Sequence, residues 1–470
     1  MNITFINPPS KHLETSSLLG ITAPPLGLAY LASTLEKDGH FVKIIDAWAL
    51  GIPLLSIEHE VKKDKPDIIG VTSTTPAIRD ALTIVETVKN ASPDSVTVMG
   101  GPHASFLPSE TLRKCPQLDI VCVGEAERTI HELAQAVEDK MSLSNVRGIV
   151  YRSGNHIVEA PPQPLINDLD SLPFPARRLL PMNQYTVLGK KTTIGHVITS
   201  RGCPFNCIFC ASSLLFGRKF RARSPKNVID EIEEVVSDYN PDTLEFTDDL
   251  FTLNRRRVEA ICDEMKTQGI DIPWACSSRV DTISRELLTK MREAGCTFIF
   301  YGVESGSQRI LNQMRKGIRL GQIEDAVRWT KEIGIETLAS FIIGWPNETM
   351  DDIKNTLNFA KRLDTDYVEF NLATPYPGTE LYRLVKKERL LLTENWSEYT
   401  AGRPIIRAGE CSAEELARVL LQAYMSFYLS PSFLIRNLRK GRVSLLLRAA
   451  LMQMQALRKT VTPKTAMIRR

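Results

Sequence analysis

Ser200-Arg201-Gly202-Cys203-Pro204-Phe205-Asn206-Cys207-Ile208-Phe209-Cys210 sets three cysteines at spacings of four and three, with Gly202 and Pro204 keeping the segment an open loop. Three thiolates converging over so short a stretch suit an iron–sulfur cluster, for which thiolate is the usual protein ligand. A cubane of four irons takes four ligands, so a three-cysteine loop leaves one iron free to bind something else. A structural zinc site usually closes with four ligands in paired C-x2-C arrangements. No second pair lies nearby, and the nearest histidine, His196, precedes the triplet on a stretch that reads as a strand. Coincidental crowding of buried thiols is the other alternative.

Downstream of the loop, strands and helices alternate. The first strand, 193–199, delivers Cys203 from its carboxyl end. Helices over 224–239, 255–266, 284–294, 320–333 and 350–363 separate strands over 243–247, 273–278, 297–303, 337–343 and 367–373. Ser224-Pro225 opens the first of these helices, with proline at its first position. Six such units predict a partial TIM barrel, whose functional groups come from the carboxyl ends of the strands. Those ends carry Thr247-Asp248-Asp249, Ser277-Ser278-Arg279, Gly302-Val303-Glu304-Ser305-Gly306 and Gly344-Trp345-Pro346-Asn347-Glu348-Thr349. The turn Pro375-Tyr376-Pro377-Gly378-Thr379 follows the last strand.

Upstream, residues 160–185 are proline-rich and predict an extended crossing between domains. Before it, apolar runs at 3–7, 41–46, 68–72, 96–101 and 120–124 alternate with helical patterns at 25–38, 57–63 and 77–90. That alternation predicts a doubly wound parallel sheet, which binds ligands beyond the carboxyl ends of its strands. The loops there are small and polar: Ser73-Thr74-Thr75, Gly100-Gly101-Pro102-His103 and Gly124-Glu125-Ala126-Glu127. Small residues let backbone approach a bulky flat cofactor, and hydroxyls bond its periphery. None of the loops is G-x-G-x-x-G, which weakens a dinucleotide reading.

The C-x3-C-x2-C triplet, with aromatic Phe209 before its last cysteine, resembles the signature of the radical S-adenosylmethionine (SAM) superfamily. The resemblance implies that Cys203, Cys207 and Cys210 hold a [4Fe-4S] cluster whose free iron chelates SAM. One electron then cleaves SAM to a 5′-deoxyadenosyl radical. It also implies SAM contacts at the strand ends: Asp248, or Asp249 nearly equally, for the methionine ammonium, and Arg279 for its carboxylate. Glu304 and Ser305 suit the ribose hydroxyls, and Gly344 allows adenine to approach. Each has a bland alternative: Asp249 or Asn347 capping a helix, Arg279 paired with Asp281. Tyr301 and Tyr376 suit either a substrate-facing or a core position.

The amino-terminal domain resembles the cobalamin-binding domain of B12-dependent radical SAM enzymes, through Pro25-Leu26-Gly27 within Thr22–Leu31 and the Gly100-Gly101-Pro102-His103 turn. The resemblance implies a cobalamin site formed by Pro25, Leu26, Gly27, Ser73, Thr74, Gly100, Gly101, His103, Gly124 and Glu125. The cobalt-ligating motif D-x-H-x-x-G finds its nearest match in Asp46-Ala47-Trp48-Ala49-Leu50-Gly51, with Trp48 in the histidine's position. No histidine of this motif therefore ligates cobalt. His103 is a substitute, with hydrogen bonding to a loop or the corrin edge the favoured role. A scaffold that has lost its cofactor is the alternative.

The whole chain of 470 residues, 43% hydrophobic and 24% charged, reads as an ordinary globular protein. The other six of its nine cysteines stand apart, which argues against a disulfide scaffold and for a reducing cytoplasm; an exposed cluster implies low oxygen. Neither a signal peptide nor a run long enough to span a membrane is apparent. The net charge of +3 hides an asymmetry: from Pro431 to Arg470 there are ten Lys or Arg and no Asp or Glu. Apolar residues interrupted by arginine, as in Phe433–Arg436 and Val443–Met452, suit peripheral contact with anionic lipid. They suit equally a helix packed on the barrel. No nucleic-acid partner is expected.

The expected α/β architecture is a Rossmann-like cobalamin-binding domain (1–145), a linker (146–190), a (β/α)6 radical SAM barrel (191–400) and a helical extension with a basic tail (401–470). The expected activity is cobalamin-dependent C-methylation of an unactivated carbon on a hydrophobic substrate, a lipid or another small molecule, with an electron donor such as ferredoxin or flavodoxin. A radical cyclase acting on a lipid or tetrapyrrole is the alternative. A carrier or sensor of cobalamin is disfavoured by the complete triplet. A methylthiolating enzyme is disfavoured because Cys115 and Cys122 alone do not make a second cluster.

Overall fold

The computed structural model describes residues 1–9, 22–187, 190–409 and 411–440. The first domain is a seven-stranded sheet built from β1 (Asn2–Asn7), β2 (Phe41–Asp46), β3 (Ile68–Thr72), β4 (Val96–Gly100), β5 (Ile120–Cys122), β6 (Ile149–Ser153) and β7 (His156–Glu159). Their order in the sheet is β2-β1-β3-β4-β5-β6-β7. The first five strands run parallel. Their near-continuous apolar runs reflect burial on both faces, as at Ile3, Phe5, Ile68, Ile69 and Val98. The strand order reverses between β1 and β3, the switch point at which such sheets open a crevice.

The sixth and seventh strands form an antiparallel hairpin on the sheet's edge. They extend the first domain to Glu159, into the stretch expected as linker. The hairpin's outer strand is largely exposed or half-buried, so it lacks the apolar run that marked the inner strands.

The second sheet is six parallel strands in sequential order: β8 (Ile194–Val197), β9 (Thr243–Phe246), β10 (Trp274–Ser278), β11 (Cys296–Glu304), β12 (Glu336–Ile343) and β13 (Tyr367–Leu372). This is the expected partial barrel. Its helices begin at capping residues: the Ser224 hydroxyl accepts from the Asn227 amide, and Thr349 forms a reciprocal box with Asp352. The last strand would leave a row of unpaired backbone groups. The helix Ala413–Tyr428 covers it with two tyrosines. The Tyr424 hydroxyl bonds both the amide (3.0 Å) and carbonyl (2.9 Å) of Phe370, and Tyr428 does the same at Val368.

One apolar core runs across the domain boundary. Met99, Ala104 and Leu112 of the first domain share it with Ile208, Met314, Trp345, Trp396 and Tyr399 of the second. Gly378, at φ +85°, packs under Phe106; a Cβ there would lie 2.3 Å from that ring. In the tail, Phe433–Arg436 lie in the helix Pro431–Arg439. The segment Val443–Met452 lies outside the described residues.

Candidate functional site

The three cysteines share the loop between β8 and the helix Ser212–Leu215, at the carboxyl ends of the barrel strands. All are unpaired and half-buried. Burial raises the Cys203 and Cys207 thiols; the positive charges of Lys316 and Arg279 oppose this at Cys207. Cys203 also feels the charges of Cys207 and Cys210, and Cys207 that of Cys210, so the thiols lie close together. Among the described residues no three His, Cys, Asp or Glu groups gather on a single ion. A half-open loop of three thiols flanked by cations fits a bulkier anionic centre such as an iron–sulfur cluster.

Asp248 does not face the barrel mouth as a free carboxylate. It is 3% exposed and accepts from the Thr199 amide (2.6 Å), the Thr199 hydroxyl (2.5 Å) and the Ser200 hydroxyl (2.5 Å). It thereby clamps the end of β8, just before the cysteine loop. Asp249 lines an open cavity instead, bonds Ser212 at 2.8 Å, and is raised chiefly by burial.

Arg279 takes its bland alternative as well. Two nitrogens bond Asp281 at 2.9 Å each, and one also reaches the Lys316 carbonyl at 2.7 Å. Its remaining nitrogen lies 3.8 Å from the Cys207 sulfur, and the group stacks 3.6 Å over Phe205. It braces the cluster loop.

Glu304 is held in the left-handed region at φ +72°, where β11 breaks register with β12. Such irregularities re-aim side chains. Here the carboxylate turns onto the Lys316 ammonium at 2.7 Å, both groups nearly buried. Gly302 makes room: a Cβ there would stand 2.5 Å from the Glu304 oxygen and 2.8 Å from the Lys316 nitrogen. Ser305, by contrast, is fully buried and bonds Thr356 at 3.1 Å, so it joins strand to helix rather than facing a ribose.

Gly344 turns at φ +79°, and its missing side chain would meet Leu416 and Leu372. The amides of Gly344 (2.6 Å) and Trp345 (3.0 Å) converge on Glu348, whose carboxyl burial pushes up to about 7. Phe209 meets Trp345 edge to face. Tyr301 is core, bonded to Thr330, and Tyr376 bonds the Tyr399 carbonyl at 3.2 Å.

A cavity of about 380 Å³ lies between the domains at the switch point of the first sheet. Pro25, Gly27, Gly100, Gly101, Gly124 and Glu125 line it from the first domain. Ser200, Arg201, Thr247 and Asp249 line it from the barrel. A Cβ at Gly27 or Gly100 would meet nothing within 4 Å, so these glycines keep the wall open. That glycine-walled cleft fits a broad flat cofactor.

Four expected contacts fall elsewhere. Leu26 and Ser73 are buried in the scaffold, with the Ser73 hydroxyl on the Gly100 carbonyl, and Thr74 is exposed. His103 lies outside the cavity lining, 3.3 Å from the Thr75 hydroxyl and edge-on to Trp396. Burial pushes His103 down to about 4. It sits in a domain interface, bonded to the loop after β3. Sequence reasoning missed Lys316 and Arg201. Arg201 lay within the deciding stretch, but its partners are more than seventy residues away.

A doubly wound sheet whose binding cleft opens onto a partial barrel with a three-cysteine loop defines a class of cofactor-dependent radical enzymes. Residues 197–360 match the radical SAM superfamily model, and residues 19–134 match the B12 binding domain model. The chain is 43% identical, over 93% of its length and 95% of the relative's, to an uncharacterized methyltransferase of Pyrococcus horikoshii. It is 30% identical, over 92% of its length and 78% of the relative's, to the anaerobic magnesium-protoporphyrin IX monomethyl ester cyclase of Rubrivivax gelatinosus. The fold matches the radical SAM methyltransferase TsrM of Kitasatospora setae with TM-score 0.71 at 18% identity, covering 82% of this chain and 78% of that one. The chain therefore belongs to the B12-binding radical SAM family of methyltransferases and cyclases, and is an enzyme of that type. No described helix is long and apolar enough to cross a membrane.

Proposed function

We propose that the chain is a C-methyltransferase acting at an unactivated carbon of a hydrophobic small molecule. The observation that carries this reading is the position of the glycine-walled cavity. Thr247 and Asp249 on its barrel wall border the same strand ends that hold the cysteine loop. When bound, the cluster supplies the electron that cleaves SAM and the cobalamin carries the transferable methyl group.

The chain's own part is binding and orientation. Cys203, Cys207 and Cys210 hold the cluster. The Glu304–Lys316 pair offers one carboxylate and one ammonium, which complement the zwitterionic methionine end of SAM. Gly27, Gly100, Gly101 and Gly124 cradle the corrin. Asp248 and Arg279 brace the loop and keep the cluster in register with the cavity. The lipid-like character of the substrate draws support from the helix Pro431–Arg439, which exposes Ile435 and Leu438 within a stretch of sequence that carries ten Lys or Arg and no acid from Pro431 onward. That face suits peripheral contact with an anionic membrane surface. A ferredoxin or flavodoxin supplies electrons.

The cyclase relative makes ring closure the second reading. Anaerobic reconstitution with iron, sulfide, hydroxocobalamin, a reductant and a lipid extract of the source cells separates the two. Near-equal S-adenosylhomocysteine and 5′-deoxyadenosine, both dependent on the extract, support methylation. Extract-dependent deoxyadenosine with almost no homocysteine product overturns it in favour of cyclisation.

A further inference from the structure

A buried charge network joins the cluster loop to the cavity rim. Arg201 lies two residues before Cys203, in a two-residue antiparallel ladder opposite Arg221. Its guanidinium reaches Glu127 at 2.5 Å and Glu125 at 3.4 Å, while Arg221 holds Glu125 at 2.7 Å. None of these four side chains is more than 8% exposed. Arg201, Glu125 and Glu127 also line the cavity, as does Tyr30, over whose ring Arg201 sits at 5.4 Å. Glu125 and Glu127 belong to the loop and helix start after β5, so the network crosses the domain boundary beside the cleft.

We propose that Arg201 is a positioning residue that couples occupancy of the interdomain cavity to the geometry of the cluster loop. The inference rests on the cobalamin and cluster reading above. The attraction between paired charges grows as the effective dielectric falls. A bulky ligand in the cavity replaces water beside these pairs, tightens them and fixes Ser200-Arg201-Gly202. Little slack separates that movement from Cys203. Gly202 turns at φ +88° so closely against the Lys219 carbonyl that a Cβ would lie 2.4 Å from its oxygen. The Cys203 amide is itself tied to the Gly217 carbonyl at 3.2 Å. Coupling of this kind is reciprocal: the cluster raises affinity for the cavity's ligand by the factor with which the ligand favours the loaded loop.

The test is an anaerobic absorbance titration of the full chain with hydroxocobalamin, with the cluster removed and with it reconstituted. The coupling predicts a Kd at least about 5-fold lower in the cluster-loaded protein, the lower end of ordinary coupling factors. In the Arg201→Gln/Glu127→Gln double variant, which removes both charges together, the ratio falls to about one. Arg201→Lys keeps the charge but loses the fork that spans two carboxylates, and also lowers the ratio. Electron paramagnetic resonance adds a second reading: hydroxocobalamin shifts the reduced cluster's signal in wild type and not in the double variant. Equal Kd values in the two wild-type states overturn the inference while leaving the cofactor reading intact. A ratio unchanged in both variants overturns the role of Arg201. A wild-type chain that binds no hydroxocobalamin, or takes up no iron, overturns the cofactor reading instead and the inference with it.

Discussion

Replacing Gly101 with alanine tests whether the cavity rim is built by backbone geometry that only glycine permits. Gly101 sits at φ +91° and ψ 173°, a region essentially confined to glycine and costing another residue about 1–3 kcal/mol. The added Cβ would stand 2.6 Å from the Ser73 carbonyl oxygen, 2.8 Å from the Ser73 nitrogen and 2.9 Å from the Thr72 hydroxyl. Two of these are backbone atoms and cannot swing aside. The same Ser73 atoms donate to the Gly100 carbonyl (3.0 Å) and accept from the His103 amide (3.3 Å). Displacing both bonds adds about 1–3 kcal/mol, for a total of about 2–6 kcal/mol. Whole domains are stable by only about 5–15 kcal/mol. Urea unfolding followed by circular dichroism should show the loss, and hydroxocobalamin binding should fail with it. Gly27→Ala is the counterpart. Its Cβ meets nothing within 4 Å inside a helix, so alanine should add up to about 1 kcal/mol of stability while weakening hydroxocobalamin binding. A Gly101→Ala chain within about 1 kcal/mol of wild type would refute the reasoning.

Three further outcomes follow from the site. Removing the Lys316 ammonium with Lys316→Met strands a buried Glu304 carboxylate and should destabilise the chain by about 3–5 kcal/mol. Adding Glu304→Gln should restore most of that stability but not SAM binding, as measured by calorimetry on the reconstituted protein. Glu348 has a folded pKa of about 7, raised from 4.5 by burial. Its stabilising contribution is therefore complete below about pH 4.5 and lost as pH rises through 7. At about 1.36 kcal/mol per unit the loss approaches ~3 kcal/mol, and Glu348→Gln should flatten the fall in unfolding free energy between pH 5 and 8. Asp248→Ala removes three acceptor contacts that hold Thr199 and Ser200, and iron bound per chain after reconstitution should drop well below wild type.

The sheet cores were legible in the sequence because parallel strands buried on both faces leave unbroken apolar runs, and a capping residue such as Ser224 announces its helix. The β6–β7 hairpin was hidden, since an edge strand is half-solvated and lacks that run. Glycine-rich loops at 100–101 and 124 pointed to the cavity that they line. Side-chain direction was not legible. Asp248 and Asp249 are adjacent, yet one is locked to β8 and the other faces the cavity. Ser305 follows Glu304, yet turns into the core because the register break at Gly302 rotates the chain. Arg201 acts through partners more than seventy residues away, and Lys316 through Glu304, turned towards it by the break in register, which no local pattern records.

The chemistry of the site turns on the Cys203–Cys210 loop holding a [4Fe-4S] cluster that cleaves SAM. The most direct measurement is anaerobic reconstitution of wild type and Cys207→Ala, followed by iron analysis and quantification of 5′-deoxyadenosine after addition of SAM and dithionite. About four irons per wild-type chain and deoxyadenosine formation are expected, with the activity abolished in the variant. Wild-type protein that assembles no cluster, or a Cys207→Ala chain that still yields deoxyadenosine, would contradict it.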